Sequence, residues 1–149
     1  MGAASEPAIE ARDAWGRSHG CAMPEWTAMP LNALFQPLAL GPGLTLPNRI
    51  VLAPCTRNRA TADLSPTPGA VDYYASRADA GLLITEAVMV APEVQGYIDT
   101  PGLYRDSHER AWAAVCDAVH ARGGRIFAQL WHTGRLAHSH WIGHAPVAP

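Results

Sequence analysis

Gly81-Leu82-Leu83-Ile84-Thr85-Glu86-Ala87 is the stretch on which the reading of this 149-residue chain turns. Leu82 to Thr85 is a short, unbroken apolar run behind a glycine. It reads as a strand buried on both faces, the kind a parallel sheet uses. Upstream, Val71, Tyr74, Ala75 and Ala78 recur at helical spacing. Thr67 stands at the cap of that helix with Pro68 at its first position, where a missing N–H costs nothing, and Gly81 ends it. Further upstream, Arg49-Ile50-Val51-Leu52-Ala53 is another continuous run closed by Pro54, again of the doubly buried type. Downstream, Asp106 with Glu109 three residues on has the form of a capping box, with Asp as the cap. Trp112, Val115, Cys116 and Val119 then make one helical face, and Gly123 and Gly124 close it. Arg125 to Trp131 is a third strand centred on Ile126-Phe127-Ala128-Gln129-Leu130. A His- and Pro-rich loop follows it to Pro149.

The order is therefore strand, helix, strand, helix, strand. Such alternation with short connections means parallel strands and right-handed crossovers. Two α/β architectures satisfy it, an open doubly wound sheet and a (β/α)8 barrel. No G-x-G-x-x-G follows the first strand, which weighs against a dinucleotide-binding sheet, but periodicity does not choose further. Leu34 to Leu46 consists of short apolar pieces broken by Pro37, Gly41, Pro42 and Gly43. That pattern predicts a hairpin or cap rather than a core element.

Composition narrows the class. Hydrophobic residues make up 48% and the formal net charge is -2, which favours neither a membrane protein nor a nucleic-acid binder. All eleven basic residues are arginine, a bias spread along the chain rather than a binding patch. Three cysteines, Cys21, Cys55 and Cys116, are too few and too scattered for a disulfide framework or a zinc knuckle. Residues 1–28 carry acids and no apolar core of a secretory signal. They show no sustained period and are expected to be a disordered extension, with residues 29–149 as the folded part. A cytoplasmic location is the default expectation.

Four stretches carry a resemblance. They are Asn48-Arg49-Ile50-Val51-Leu52-Ala53-Pro54-Cys55-Thr56-Arg57, Tyr73-Tyr74 through Arg77-Ala78, Gly81 to Ala87, and Gly124 to Arg135. Gln95-Gly96-Tyr97 and Thr100-Pro101-Gly102 agree with them. In identity, order and spacing they resemble the old yellow enzymes, the NADH:flavin oxidoreductase family, from Leu34 to about His138. The resemblance implies the N-terminal part, about three strands, of a TIM (β/α)8 barrel that binds FMN at its C-terminal mouth. It implies NADH or NADPH as reductant and a small activated alkene as substrate. By the same resemblance Pro54, Cys55 and Thr56 lie along the flavin and Thr56 tunes its potential. Ala87 sits beside the ring, Gln129 reads the pyrimidine edge, and Tyr97 and Trp131 line the substrate cavity. Thr56, Ala87 and Gln129 each fall at or near a strand C-terminus, where barrels place functional groups.

Each assignment has a plainer alternative. Thr56 caps a turn, Gln129 satisfies buried backbone, and Tyr97 and Trp131 are packing. Glu86 is read as a buried structural hydrogen-bond partner rather than a general base. Cys55 is a departure from the family pattern and reads as a small packed thiol. His132, His138, His140 and His144 match no common zinc spacing, and no metal is expected.

A (β/α)8 barrel takes about 250 residues, so this sequence reads as a truncated one. The family's carbonyl-binding pair, proton-donating tyrosine and phosphate loops have no counterpart here, so no complete catalytic set is expected and the isolated chain should be inactive. Two alternatives stand beside this, half of a split enzyme with a complementing C-terminal chain, and a non-catalytic interaction module. Neither nucleic acid nor membrane is an expected partner. If residues 1–28 are an extension without a packed face, deleting them leaves the melting temperature and helicity of the remainder unchanged, as circular dichroism measures. A large loss of either would place them in the fold.

Overall fold

The computed structural model describes residues 31–147, and the extension expected over residues 1–28 lies outside them. A 3-10 turn, Leu31–Phe35, leads into strands β1 (Leu38–Gly41) and β2 (Leu44–Leu46). These form the antiparallel hairpin expected from the broken apolar pieces, with Leu38 opposite Leu46. Gly43 turns it at φ 79°, a left-handed conformation that favours glycine. Then come β3 (Val51–Leu52), α1 (Pro68–Ala75), β4 (Leu82–Met89), α2 (Asp106–His120), β5 (Ile126–Trp131) and a four-residue helix, α3 (Ser139–Ile142).

The main sheet has the order β3-β4-β5, and both pairs are parallel. Ala70 and Tyr74 of α1, Leu83 and Val88 of β4, and Trp112, Val115 and Val119 of α2 share one buried cluster. Both helices thus pack together on one face of a sheet whose strands follow chain order. Consecutive parallel strands with helices on one side are the repeating unit of a barrel, and one β-α-β-α-β half of a doubly wound sheet has the same arrangement. The described elements fit three consecutive strands of a (β/α)8 barrel.

Three local expectations are corrected. The run from Arg49 to Ala53 is not a strand buried on both faces: only Val51 and Leu52 pair, and Ile50 and Val51 are 40% and 45% exposed. β3 is a sheet edge, with β4 its only neighbour among the described residues. α2 has no side-chain cap. Its cap position is Arg105, at φ -140° and ψ 154°, and Asp106 is already helical. The backbone enters the helix one residue earlier than the capping-box reading requires. Asp106 and Glu109 instead place negative charge in the first turn, which the helix dipole favours. Thr67 does stand at the cap of α1 with Pro68 next, but its side chain makes no cap bond.

Two glycines and one asparagine hold the layers at close range. A Cβ on Gly124 would lie 2.8 Å from Val119 Cγ1 and 2.9 Å from Ala78 Cβ, and one on Gly81 would lie 2.1 Å from the Asn48 carbonyl oxygen. Asn48 donates from Nδ2 to the Asp79 carbonyl (2.8 Å), and its Oδ1 accepts from the amides of Gly81 (2.8 Å) and Ile50 (3.0 Å). That side chain staples the entry of β3 to the entry of β4.

The loop between β3 and α1 is fastened to α2 by His108, which is fully buried. Its Nε2 lies 2.8 Å from the Asp63 carbonyl oxygen, and its Nδ1 accepts from the Tyr104 amide at 3.4 Å. With the proton on Nε2, both ring nitrogens are satisfied. The Asp63 carboxylate accepts from the hydroxyls of Thr61 and Ser65. Chiefly through the Thr61 bond, and then the Ser65 bond, its pKa is held at about 2 against an ordinary 3.8. A depressed carboxylate contributes stability above its unfolded pKa and loses it as pH falls toward the folded value. Acid titration of unfolding should therefore show wild type losing stability between pH 3.8 and about 2 more steeply than Asp63→Asn. Parallel acid profiles for the two would show that the carboxylate makes no such contribution.

Candidate functional site

Because all three main strands run parallel, their C-terminal ends lie on one side. There a cavity of about 460 Å³ is lined by Pro54, Thr56, Asn58, Ala87, Tyr97, Gln129 and Trp131. Pro54, Thr56 and Asn58 come from the loop after β3, Ala87 from β4, Tyr97 from the loop after β4, and Gln129 and Trp131 from β5. The volume is within the range of small-molecule sites, about 300–1,000 Å³.

Ala87 reaches this cavity because β4 is irregular. Leu83 pairs with Ile126 and Ile84 with Phe127, and the next partners are Ala87 and Gln129. Thr85 and Glu86 together stand opposite Ala128 alone, which is a β-bulge. In a regular strand, residues an odd number apart face opposite sides. Yet Leu83 and Val88 both belong to the helix-facing core. The bulge inverts the phase between them and turns Ala87 toward the cavity. Thr85 closes the gap: its buried hydroxyl accepts from the Gln129 amide at 3.0 Å and donates to the Glu86 carbonyl at 2.7 Å.

The loops around the mouth are laced to one another. The Ala60 amide donates to Asp99 O (2.9 Å) and the Gly102 amide to Leu64 O (2.8 Å). Thr133 Oγ1 donates to Val94 O, and the His138 amide donates to Gln95 O at 3.2 Å. Gly96 sits so close to Thr133 that a Cβ there would meet Thr133 Cγ2 at 2.9 Å. This contact holds Tyr97 against Trp131, whose rings stack at 5.4 Å with a 23° interplanar angle. The pair forms a flat aromatic wall, half exposed at Tyr97.

Of the seven residues assigned from the sequence, six line this one cavity: Pro54, Thr56, Ala87, Tyr97, Gln129 and Trp131. Cys55 is outside the lining, and it is exposed rather than packed. It follows an edge strand, so no layer covers it among the described residues. Sequence reasoning missed Asn58, which also lines the cavity at φ 53°. Asparagine is among the few residues that tolerate that region, a weak signal for a functional turn. Glu86 is absent from the lining. Its carboxylate is committed to Arg57: Nε and Nη2 donate to Oε1 at 2.9 and 2.6 Å, and the Arg57 amide donates to Oε2 at 3.0 Å. The histidines at 132, 138, 140 and 144 are all exposed, and the described residues contain no group of three or more His, Cys, Asp or Glu placed to hold a metal ion.

The cavity's lining chemistry is thus one hydroxyl, two carboxamides, one phenol and apolar or aromatic surface, with no carboxylate or cation. Such a set binds and orients a flat, neutral, polar-edged group. Carboxamides both donate and accept, which suits a ring edge that alternates donors and acceptors.

Residues 33–148 match the NADH:flavin oxidoreductase / NADH oxidase family. A putative 12-oxophytodienoate reductase 2 of Oryza sativa subsp. japonica is 43% identical over 118 residues, 77% of this chain and 31% of that protein. A chanoclavine-I aldehyde reductase of Penicillium roqueforti is 47% identical over 109 residues, 72% of this chain and 29% of that protein. Among solved structures, the old yellow enzyme homologue from Zymomonas mobilis superposes with a TM-score of 0.75 at 48% identity, covering 78% of this chain and 33% of that one. Morphinone reductase gives a TM-score of 0.75 at 49% identity, covering 78% and 31%. The chain spans about a third of the length of the relatives it matches.

The bulge makes Thr85 testable. Thr85→Val keeps the shape but leaves the Gln129 amide without its acceptor, at a cost of about 1–3 kcal/mol. Urea unfolding should show that loss, and the Gln129 amide should exchange faster with solvent. An unchanged midpoint would show that the hydroxyl does not secure the bulge.

Proposed function

Because the chain belongs to the NADH:flavin oxidoreductase / NADH oxidase family, we propose that it supplies the flavin-ring side of an FMN-dependent oxidoreductase that reduces activated C=C bonds with NADH or NADPH. The observation that carries this is the meeting of Thr56, Ala87 and Gln129 in one cavity at the C-terminal ends of parallel strands. Bound FMN would supply the hydride-accepting and hydride-donating chemistry. The residues of this chain would hold and orient it. Gln129 would meet the pyrimidine edge with its carboxamide, and the Thr56 hydroxyl would reach the neighbouring carbonyl side of the ring. Ala87, small and turned inward by the bulge, leaves room for a ring system to lie against the sheet. Pro54 would add apolar contact. The stacked Tyr97 and Trp131 would wall the space in which an alkene lies.

On this reading the 149 residues supply the flavin-ring side alone. The cavity offers no cationic group for a phosphate, and among its lining residues only the Tyr97 phenol carries an ionisable proton. A complete site would take its phosphate contacts, carbonyl donors and proton donor from polypeptide beyond these residues, in the same chain or in a complementing one. Losing one pre-positioned donor costs on the order of 3–4 kcal/mol in the transition state, so the 149-residue polypeptide is expected to bind flavin weakly and not to turn over. A non-catalytic interaction role is the second reading, favoured by the exposure of Phe127 (49%) and Leu130 (63%) on β5. No helix among the described residues is long and apolar enough to cross a membrane, and a cytoplasmic location is part of the proposal.

The test is to titrate the 149-residue chain with FMN, following flavin fluorescence and amide resonances, and to assay cyclohexenone-dependent NAD(P)H oxidation. Weak binding that moves the resonances of Thr56, Ala87 and Gln129, without turnover, is the expected result. A folded chain whose three resonances stay fixed in excess FMN would overturn the flavin assignment. Stoichiometric yellow protein with turnover would overturn the expectation that further polypeptide is needed.

A further inference from the structure

Thr56 presents an unusual positioning problem. It is exposed, and it lies in the long loop between Leu52, where β3 ends, and Pro68, where α1 begins. No sheet ladder fixes its backbone. A hydroxyl that must meet a ring edge needs its peptide held to within a fraction of an ångström. The fixing group has to come from a more rigid element.

We propose that Glu86 is a positioning residue: its carboxylate fixes the Thr56–Arg57 peptide and thereby sets where the Thr56 hydroxyl stands in the cavity. The choice of cavity ligand rests on the flavin reading above; the positioning itself rests on three observations.

The first is convergence. Three donors of the single residue Arg57 meet one carboxylate: the backbone amide on Oε2, and Nε and Nη2 on Oε1. The peptide unit is planar, so anchoring the Arg57 N–H also orients the Thr56 carbonyl and Cα. The second is rigidity of the anchor. Glu86 is 2% exposed and sits in the bulge of β4, the most buried strand. Its own amide donates to the Tyr74 hydroxyl at 2.8 Å. The Arg57 guanidinium lies over the rings of Tyr73 and Tyr74, at 4.2 and 5.1 Å from their centroids. Neither partner can swing away without breaking several contacts. The third is placement. Glu86 immediately precedes Ala87, and Arg57 immediately follows Thr56. One ion pair therefore joins two walls of the same cavity from behind. Buried ion pairs often contribute little net stability compared with apolar packing, so stability alone does not account for this one, whereas holding a loop to a strand beside a binding cavity does.

The experiment compares the wild-type 149-residue chain with Glu86→Gln by amide hydrogen exchange and two-dimensional NMR. Glutamine keeps the size but turns one acceptor into an NH2 that faces a donor. In the wild type, the Arg57 amide should exchange roughly ten- to a hundredfold more slowly than the exposed Thr56 and Asn58 amides, as expected for a bond to a charged acceptor. In E86Q that protection should fall by about tenfold or more and the Thr56 methyl resonance should move, while Val115 and Val119 in α2 keep their protection. Three results would overturn the proposal: an Arg57 amide as fast as its neighbours in wild type, a Thr56 methyl unmoved in E86Q, or protection lost equally at Val115 and Val119. The wild-type arm stands even if E86Q does not fold. These arms contain no flavin. Adding FMN to the wild type then separates the two readings, since resonances that stay fixed with Arg57 protected would refute the flavin assignment and leave the positioning role intact.

Discussion

The described fold depends on one constraint, the phase of β4. This strand is the middle of the parallel sheet, and it must satisfy two demands with period-two geometry. Toward the helices it must present Leu83 and Val88, both fully buried. Toward the cavity it must present Ala87. A regular strand cannot do both, because Leu83 and Val88 are five residues apart. The extra residue between Ile84 and Ala87 resolves the conflict, and the Thr85 hydroxyl supplies the hydrogen bonding that the interrupted ladder omits. The core behind the sheet and the site in front of it are thus set by the same local irregularity.

Around that strand, polar contacts serve more to connect loops than to build the core. The core itself is apolar and one-sided, closed by Tyr74 and Trp112 with ring centroids 6.2 Å apart. Burial pushes the Tyr74 phenol up to about 12, so it stays a neutral hydroxyl that accepts the Glu86 amide. Trp112 donates its indole N–H to Gly102 O at 3.1 Å, joining α2 to the segment after β4. Gly102 is tightly enclosed as well: a Cβ there would meet the Tyr104 and His108 rings at 2.5 and 2.8 Å. Tyr74 and Trp112 thus place their apolar bodies in the core and their polar tips on the β4 bulge and on the segment after β4.

The sequence made the element order legible because glycines and prolines punctuate it and because two helices carry clean apolar faces. It made most of the cavity legible as well, since Thr56, Ala87 and Gln129 fall near the ends of recognisable strands and the motifs around them resemble a known family. What it did not reveal depends on contacts between distant residues. The exposure of Ile50 and Val51 follows from β3 lying at an edge, which an apolar run does not disclose. The bulge is invisible in Leu82-Leu83-Ile84-Thr85-Glu86-Ala87, because that stretch has no strict period-two alternation for an extra residue to interrupt. The link between Arg57 and Glu86, 29 residues apart, is only hinted at by opposite charges beside two site residues. Asn58 entered the cavity through a left-handed backbone that no neighbouring residue announces.

The simple adjacency of the strands has a consequence for how the polypeptide comes to be folded. Each main strand pairs with the next one in sequence, and α1 packs beside α2. Contacts of this kind join neighbours in chain order, so none of them needs a segment made later. As a ribosome releases residues in order, β3, α1 and β4 can associate before α2 and β5 have been synthesised. β5 then finds a template already laid down. Among the described residues β5 has β4 as its one strand neighbour, and it presents Phe127 and Leu130 to solvent, so the last strand to pair is also the least covered.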